Sequence, residues 1–163
     1  MTIRQLSPEH DLPAVTAFLA EAADYWLMAE GSAPGPTAAQ DYFTDGPPGH
    51  DPARQRHLGL IVDCRLSGLA ELSFGFPDAK AAYLGLMIFL PSLRGQGHGR
   101  RLLAEVERIA RTEAATQLYL AVLEANTRGW AFWTREGFTP TGLSRVDNEH
   151  GLNHVIHRLT KTL

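Results

Sequence analysis

The sequence is poor in cysteine and in long apolar runs. Cys64 is its one cysteine, so no disulfide can form within the chain and no cysteine-based zinc site can be built. Cys64 ends an apolar, strand-like stretch, where a buried structural thiol is expected rather than a reactive one. The longest uncharged apolar run, Ala81 to Leu93, is too short to span a bilayer, and Met1-Thr2-Ile3-Arg4-Gln5 lacks the apolar character of a secretory leader. A soluble, cytoplasmic protein with no membrane partner is the expectation. A basic excess is missing as well. Fifteen Lys and Arg face 18 Asp and Glu for a formal net charge of −3, which argues against a nucleic-acid partner. Hydrophobic residues at 44% and charged residues at 20% exclude extended disorder and coiled coil. The 163 residues suit one domain, residues 1–163, able to bury about 70% of its unfolded surface without a metal or disulfide.

Periodicity places the elements. Thr2 to Leu6 alternates as a short strand. Ser7-Pro8 is a helix start, a capping serine before a proline in the first turn. Leu12, Val15, Phe18, Leu19 and Ala22 then recur at helical spacing to about Ala23. Proline- and glycine-rich punctuation brackets a short helix over Thr37 to Phe43. Three strands follow, His57 to Cys64, Leu69 to Phe76 and Ala81 to Leu90, with turns at Arg65 to Gly68 and Pro77 to Lys80. Leu102, Leu103, Val106, Ile109 and Ala110 form one apolar face of a helix ringed by charge. A strand over Leu118 to Leu123, a helix over Asn126 to Glu136 closed by Gly137, and a hairpin of Phe138 to Val146 with Leu152 to Leu159 complete the chain. There is no internal repeat. The order is that of a mixed α/β (α+β) domain.

The chemistry concentrates in Leu93-Arg94-Gly95-Gln96-Gly97-His98-Gly99-Arg100-Arg101, between an apolar strand and the amphipathic helix. Glycines there let the backbone approach a ligand closely. The first helical amides have no intrahelical partner, and the helix dipole adds about half a positive charge. With Arg94, Arg100 and Arg101 the segment makes an anion site suited to a diphosphate. A plain glycine-rich turn is the alternative. Neither the Walker A pattern nor the Rossmann fingerprint is met: no Lys-Ser/Thr follows, Gly95, Gly97 and Gly99 alternate, and residue 100 is Arg.

Arg94-x-x-Gly97-x-Gly99 resembles the Gln/Arg-x-x-Gly-x-Gly/Ala signature of the GNAT N-acetyltransferase superfamily. Pro91 lies three residues before Arg94, as in many members. Ala121-Val122-Leu123-Glu124-Ala125-Asn126, followed by Ala131-Phe132-Trp133-Thr134-Arg135-Glu136-Gly137-Phe138, is similar to the family's second motif. The resemblance covers nearly the whole chain. It implies a GNAT-like single domain, a mixed and mostly antiparallel sheet of six or seven strands flanked by about four helices, with acetyl-CoA as cosubstrate and no metal. By position it implies that the backbone of Met87, Ile88 and Phe89 lines the pantetheine arm and that the amides of Gly95, Gln96, Gly97, His98, Gly99 and Arg100 hold the diphosphate. Asn126 would lie near the CoA arm, a role compatible with capping the following helix. A homodimer is suggested by family analogy alone.

Three positions depart from the family pattern. The Tyr that many members carry seven residues after the Asn, as acid to the leaving thiolate, is Trp133 here, and an indole cannot protonate a thiolate. Trp133 is expected to pack on the cofactor arm or the core. A thiolate of pKa about 8.5 is a tolerable leaving group, and water or another Tyr could serve. The positions where members carry a basic Glu are Ala121 and Tyr83. Glu71 and Tyr83 are therefore the catalytic candidates, with His57 and Glu124 behind them. His57 is expected at an exposed strand start, and His98 is expected to face solvent. His150, His154 and His157 do not suit a metal site. Cys64 has no adjacent base, which argues against a covalent enzyme intermediate.

Acceptor specificity in the family usually comes from the first helices. Here Asp24, Tyr25, Trp26 and Glu30 interleave acids with aromatics, a combination that would favour a cationic amine. The other reading is core aromatics beside a solvated acidic face. The resemblance thus implies acetyl transfer from acetyl-CoA to a primary amine, on a small molecule or on a peptide or protein, by direct attack in a ternary complex. The alternative is a CoA-binding sensor or interaction module that catalyses nothing.

Overall fold

A computed structural model describes residues 1–148 and 151–163. In chain order its elements are β1 (Thr2–Gln5), α1 (Pro8–Glu21), α2 (Asp24–Glu30), α3 (Ala38–Thr44), β2 (Arg56–Val62), β3 (Arg65–Phe74), β4 (Ala81–Phe89), α4 (His98–Thr112), β5 (Gln117–Leu123), α5 (Thr127–Arg135), β6 (Thr139–Asp147) and β7 (His154–Thr162). The strands form one seven-stranded sheet in the order β1-β2-β3-β4-β5-β7-β6. Every neighbouring pair is antiparallel except β4 and β5. The mixed, mostly antiparallel sheet is the one expected, with five described helices rather than about four. The extra helix is α2. Gly31 in the left-handed conformation (φ 72°) ends it, so residues 24–30 form an element of their own.

Both faces of the sheet are covered. On one, Leu102, Leu103, Val106 and Ala110 of α4 and Trp133 of α5 pack on Leu72, Leu84, Leu118, Leu120 and Leu159. On the other, Val15, Phe18 and Leu19 of α1 and Tyr42 and Phe43 of α3 pack on Leu69 and Ile88. Alternation along β3 and β4 feeds both cores, because successive side chains point to opposite faces.

Three local expectations change. Ser7 has the extended conformation of an N-cap, but its hydroxyl makes no capping bond. Its backbone N–H instead donates to Asp11 Oδ2 at 2.9 Å, and Arg4 holds the same carboxylate through both guanidinium nitrogens, at 3.0 and 2.6 Å. Cys64 does not continue β2. With Asp63 it forms the two-residue turn of the β2–β3 hairpin, both residues at positive φ (47° and 63°), and Val62 pairs with Arg65 across it. The thiol is therefore exposed, not buried. His57 is buried rather than exposed, at 8% of its free surface, between the rings of Tyr42 and Phe43. The position of His150 lies outside the described residues.

Candidate active site

Strand pairing creates the opening. β4 and β5 pair only from Ala81–Leu84 to Gln117–Leu120. Beyond that point the two strands separate, and the β5-facing backbone of residues 85–89 has no strand partner among the described residues, while its other edge pairs with β3. Met87, Ile88 and Phe89 lie on this edge. A cavity of about 50 Å³ fills the gap, bordered by Met87, Ala121, Asn126, Trp133 and Tyr25 among others. Trp133 is buried against Phe132 and Phe138 in edge-to-face contacts and closes the cavity as a packing residue. Asn126 caps α5, its Oδ1 accepting from the Gly129 amide at 2.9 Å.

The glycine-rich loop lies at the end of β4, where the chain turns into α4. Gly95 and Gly97 both have positive φ (81° and 82°), and Gly97 is the N-cap of α4. That conformation exposes the first amides of a 15-residue helix to anything seated there. Gly99 is needed for a different reason: a Cβ there would come within 3.0 Å of the Phe132 ring. Gln96 folds back to Ser92 O at 2.8 Å. His98 does not face solvent freely; it is half-buried, with Nδ1 shielded and without a hydrogen-bond partner among the described residues. Arg94 is turned away from the loop. Its Nε donates to Phe89 O at 3.0 Å, and its two terminal nitrogens hold Asp24, one of them at 2.9 Å. Arg100 is largely exposed and 3.6 Å from Glu136.

A second, larger cleft of about 880 Å³ opens beside the first. Gly85, Leu86 and Ala121 border both, so the two spaces meet where β4 and β5 begin to part. Trp26 and Glu30 of α2, Asp41 and Tyr42 of α3, Glu71, Tyr83, Arg145 and Arg158 line it. Of the four residues expected at the acceptor end, only Trp26 and Glu30 line this cleft. Tyr25 borders the strand gap instead, and Asp24 is taken up by Arg94.

Glu71 is the buried carboxylate of the cleft, 5% exposed. Gln55 Nε2 lies 3.1 Å from its Oε1, the Ser73 hydroxyl donates to the same oxygen, and the nearby Gly85 backbone favours its ionised form. Burial raises its pKa above the usual carboxylate value, against the lowering effect of those donors and of His50. Its position depends on a bulge. Glu71 pairs with Leu86 and Leu72 with Leu84, which leaves Gly85 as the extra residue of β4. The Glu71 carboxylate occupies the place where a Gly85 side chain would begin. Tyr83 also lines the cleft, edge-on to Phe76 at 5.3 Å between ring centres, and burial raises its phenol pKa. Glu124 is exposed, lies outside the cleft and faces His157 Nε2 at 3.5 Å.

Sequence reasoning missed Gln55, Ser73 and Gly85 around Glu71, and Arg145 and Arg158 opposite it. Gly85, a lone glycine in an otherwise apolar strand, was the available signal for a bulge or a close approach. Among the described residues no group of His, Cys, Asp and Glu is arranged to hold a metal, and no helix is long and apolar enough to cross a membrane.

A seven-stranded sheet opened between β4 and β5, with a glycine-rich loop entering a helix beside the opening, defines an N-acetyltransferase fold. The chain belongs to the Acetyltransferase (GNAT) family, whose sequence model matches residues 20–138. It is similar in structure to ribosomal-protein-alanine N-acetyltransferase from Brucella melitensis, at 22% identity over 100% of both chains with a TM-score of 0.77. The paia N-acetyltransferase from Thermoplasma acidophilum, solved in complex with coenzyme A, aligns over 99% of this chain and 98% of its own at 20% identity and a TM-score of 0.66. The ribosomal-protein-S18-alanine N-acetyltransferase from Escherichia coli aligns over 99% of this chain and 92% of its own at 16% identity and a TM-score of 0.72. At these identities the likeness is one of fold. No curated protein matches the chain in sequence.

Proposed function

We propose that this protein transfers an acetyl group from acetyl-CoA to an amine by direct attack in a ternary complex, with residues 1–163 acting as one domain. The observation that carries the reading is the meeting of the strand gap and the acceptor cleft at Gly85 and Ala121, with buried Glu71 beside the junction. The unpaired edge of β4 at Met87, Ile88 and Phe89 offers backbone groups to the pantetheine arm. The amides at the start of α4 suit the diphosphate. Asn126 and Trp133 wall the gap.

Glu71 is the base in this reading. An ammonium acceptor gives it one proton, and the neutral amine attacks the thioester carbonyl. The C–N bond forms and the C–S bond breaks. Trp133 has no proton to give, but Tyr25 is the one phenol bordering the gap among the described residues. Burial and the nearby negative charge of Glu30 keep its phenol protonated. Tyr25 protonates the departing thiolate, and the second amine proton restores the phenol. Tyr83 lines the cleft as a positioning group.

Thermal melting with acetyl-CoA, CoA and ADP tests the ligand. A folded-state ligand at a hundredfold excess over its Kd adds roughly 2.7 kcal/mol. Acetyl-CoA and CoA should raise the melting temperature more than ADP does. An amine screen with the Glu71→Gln variant then tests the chemistry: turnover should fall while CoA binding stays. No melting shift with any of the three ligands would refute the site. Full CoA binding without turnover of any amine would leave a binding module.

A further inference from the structure

The cleft carries charge of both signs, on opposite walls. Glu30, Asp41 and Asp45 come from α2, α3 and the residue after α3. Arg145 and Arg158 come from β6 and β7 at the other end of the sheet. Strand order fixes the layout. Arg158 is the pairing partner of Ala121 on β5, which borders the strand gap, and Arg145 pairs with Ile156, two residues before Arg158 on the same face of β7. Tyr83 lines the same cleft, and its hydroxyl feels both the positive charge of Arg158 and Arg145 and the negative charge of Glu71.

Arg145 and Arg158 have no acidic partner among the described residues. Nine of the 13 arginines form an ion pair with a carboxylate among the described residues; Arg145 and Arg158 do not, although four acids line the same cleft. Arg158 is nevertheless held in place. Its guanidinium lies over the Phe76 ring at 5.1 Å, and Phe76 in turn meets Tyr83 edge-on. A stacked guanidinium keeps its hydrogen-bonding fork free in a fixed plane, which is the geometry a carboxylate reads with two bonds. A guanidinium pair waiting beside a cationic amine site fits an acceptor that brings its own negative charge.

Building on the acetyltransferase reading, we infer that the acceptor is a small amine carrying a carboxylate, of the free amino-acid type, with its amine toward Glu71 and its carboxylate on Arg158 and Arg145. The cleft, at about 880 Å³, is of the size that encloses a small ligand. Tyr83, which lines the cleft with both groups, is available to contact the rest of such a molecule.

The test uses a panel of free amino acids, each beside its own C-terminal amide, with the protein saturated by CoA for melting and by acetyl-CoA for rates. Melting shifts report binding and acetylation rates report turnover. At least one amino acid should bind better than its amide by about tenfold to a hundredfold, the range of one charge-assisted hydrogen bond. The preference should collapse in an Arg145→Gln/Arg158→Gln double variant through a higher KM, while its response to CoA stays unchanged. Amides that bind or react as well as the acids would overturn the inference. So would a blocked peptide amine that outperforms every free amino acid, or a double variant that keeps the preference. Acid-selective, arginine-dependent binding without turnover would uphold the carboxylate site and remove the catalytic reading. Indiscriminate turnover would do the reverse.

Discussion

The Glu71 carboxylate lies against the backbone of Gly85, in the space that any side chain at position 85 would need. The β-bulge that brings them together also sets the Gly85 backbone near the carboxylate, where it favours the ionised form. A residue on one strand is thus positioned by the lack of a side chain on the next. Gly85→Ala should displace Glu71 from Gln55 and Ser73 and cut turnover roughly as far as Glu71→Gln does, by about 10²- to 10⁴-fold. CoA-induced melting shifts in both variants should match the parent protein. An active Gly85→Ala would show that Glu71 need not sit where it does.

Burial raises the pKa of Glu71, so a base at this position loses its proton later than an ordinary carboxylate. The kcat/KM profile should therefore rise with pH along an acid limb centred above the ordinary carboxylate value of 4.5. In Glu71→Gln that limb should vanish along with most of the rate. A limb unchanged in the variant would assign it to another group, the amine itself included.

Much of this was legible in the sequence, for reasons that can be traced. The α4 face of Leu102, Leu103, Val106 and Ala110 is strictly periodic, and the loop before it announces itself by three alternating glycines. Such signals are local. The identity of Glu71 as a candidate was also legible, because a carboxylate inside an apolar strand demands an account. Its cradle was not, since Gln55, Ser73 and Gly85 come from three separate segments that only strand register unites. Cys64 was misplaced because the apolar run Leu58 to Val62 hides where the hairpin turns; Asp63 was the cue, a residue that tolerates the left-handed conformation. His57 was misplaced because burial here comes from α3, far away in sequence.

His57 gives the fold a pH dependence of its own. Burial lowers its pKa from 6.5 to about 4, against the raising effect of the nearby Tyr42 backbone. The unfolded chain therefore takes up a proton below about pH 6.5 that the folded chain refuses. The stability linked to this group is complete above pH 6.5 and is lost progressively as pH falls toward 4, to a total of up to about 3 kcal/mol at 1.36 kcal/mol per pKa unit. Glu71 shifts in the opposite sense, so the comparison is made against His57→Gln. Chemical denaturation at pH 7.5 and 4.5 should show the gap between parent and variant narrowing at the lower pH. A constant gap would mean that His57 is not held neutral.

Asp24 and Trp26 are two residues apart yet serve different places. Asp24 pairs with Arg94, which also holds Phe89 O at the end of β4, so α2 is tied to the base of the glycine-rich loop. Trp26 faces the acceptor cleft. Asp24→Asn should leave the amine KM unchanged. Its effect on CoA should stay within about fivefold, because the Asp24 side chain is half exposed and such pairs contribute roughly 0.2–1 kcal/mol. Trp26→Ala should raise the amine KM without altering the CoA melting shift. A reversed pattern would place the acceptor on the other side of α2.

Gly97 separates two demands that usually coincide. Its φ of 82° asks for a residue that tolerates the left-handed conformation, and the space where its side chain would project is empty of protein to beyond 4 Å. Asn accepts that conformation far better than Val, whose β-branching makes it strained there. If the space is where a diphosphate lies, both Gly97→Asn and Gly97→Val should lose most of the CoA-induced melting shift, because both fill it. If conformation alone mattered, Asn would retain the shift and only Val would lose it. Normal CoA binding by Gly97→Val would remove the diphosphate from this loop. The two variants also differ in the free protein: Val should cost about 1–2 kcal/mol of stability more than Asn, the penalty of a left-handed residue with a Cβ. Melting curves without ligand check that part first, and any difference in ligand response is then read against it.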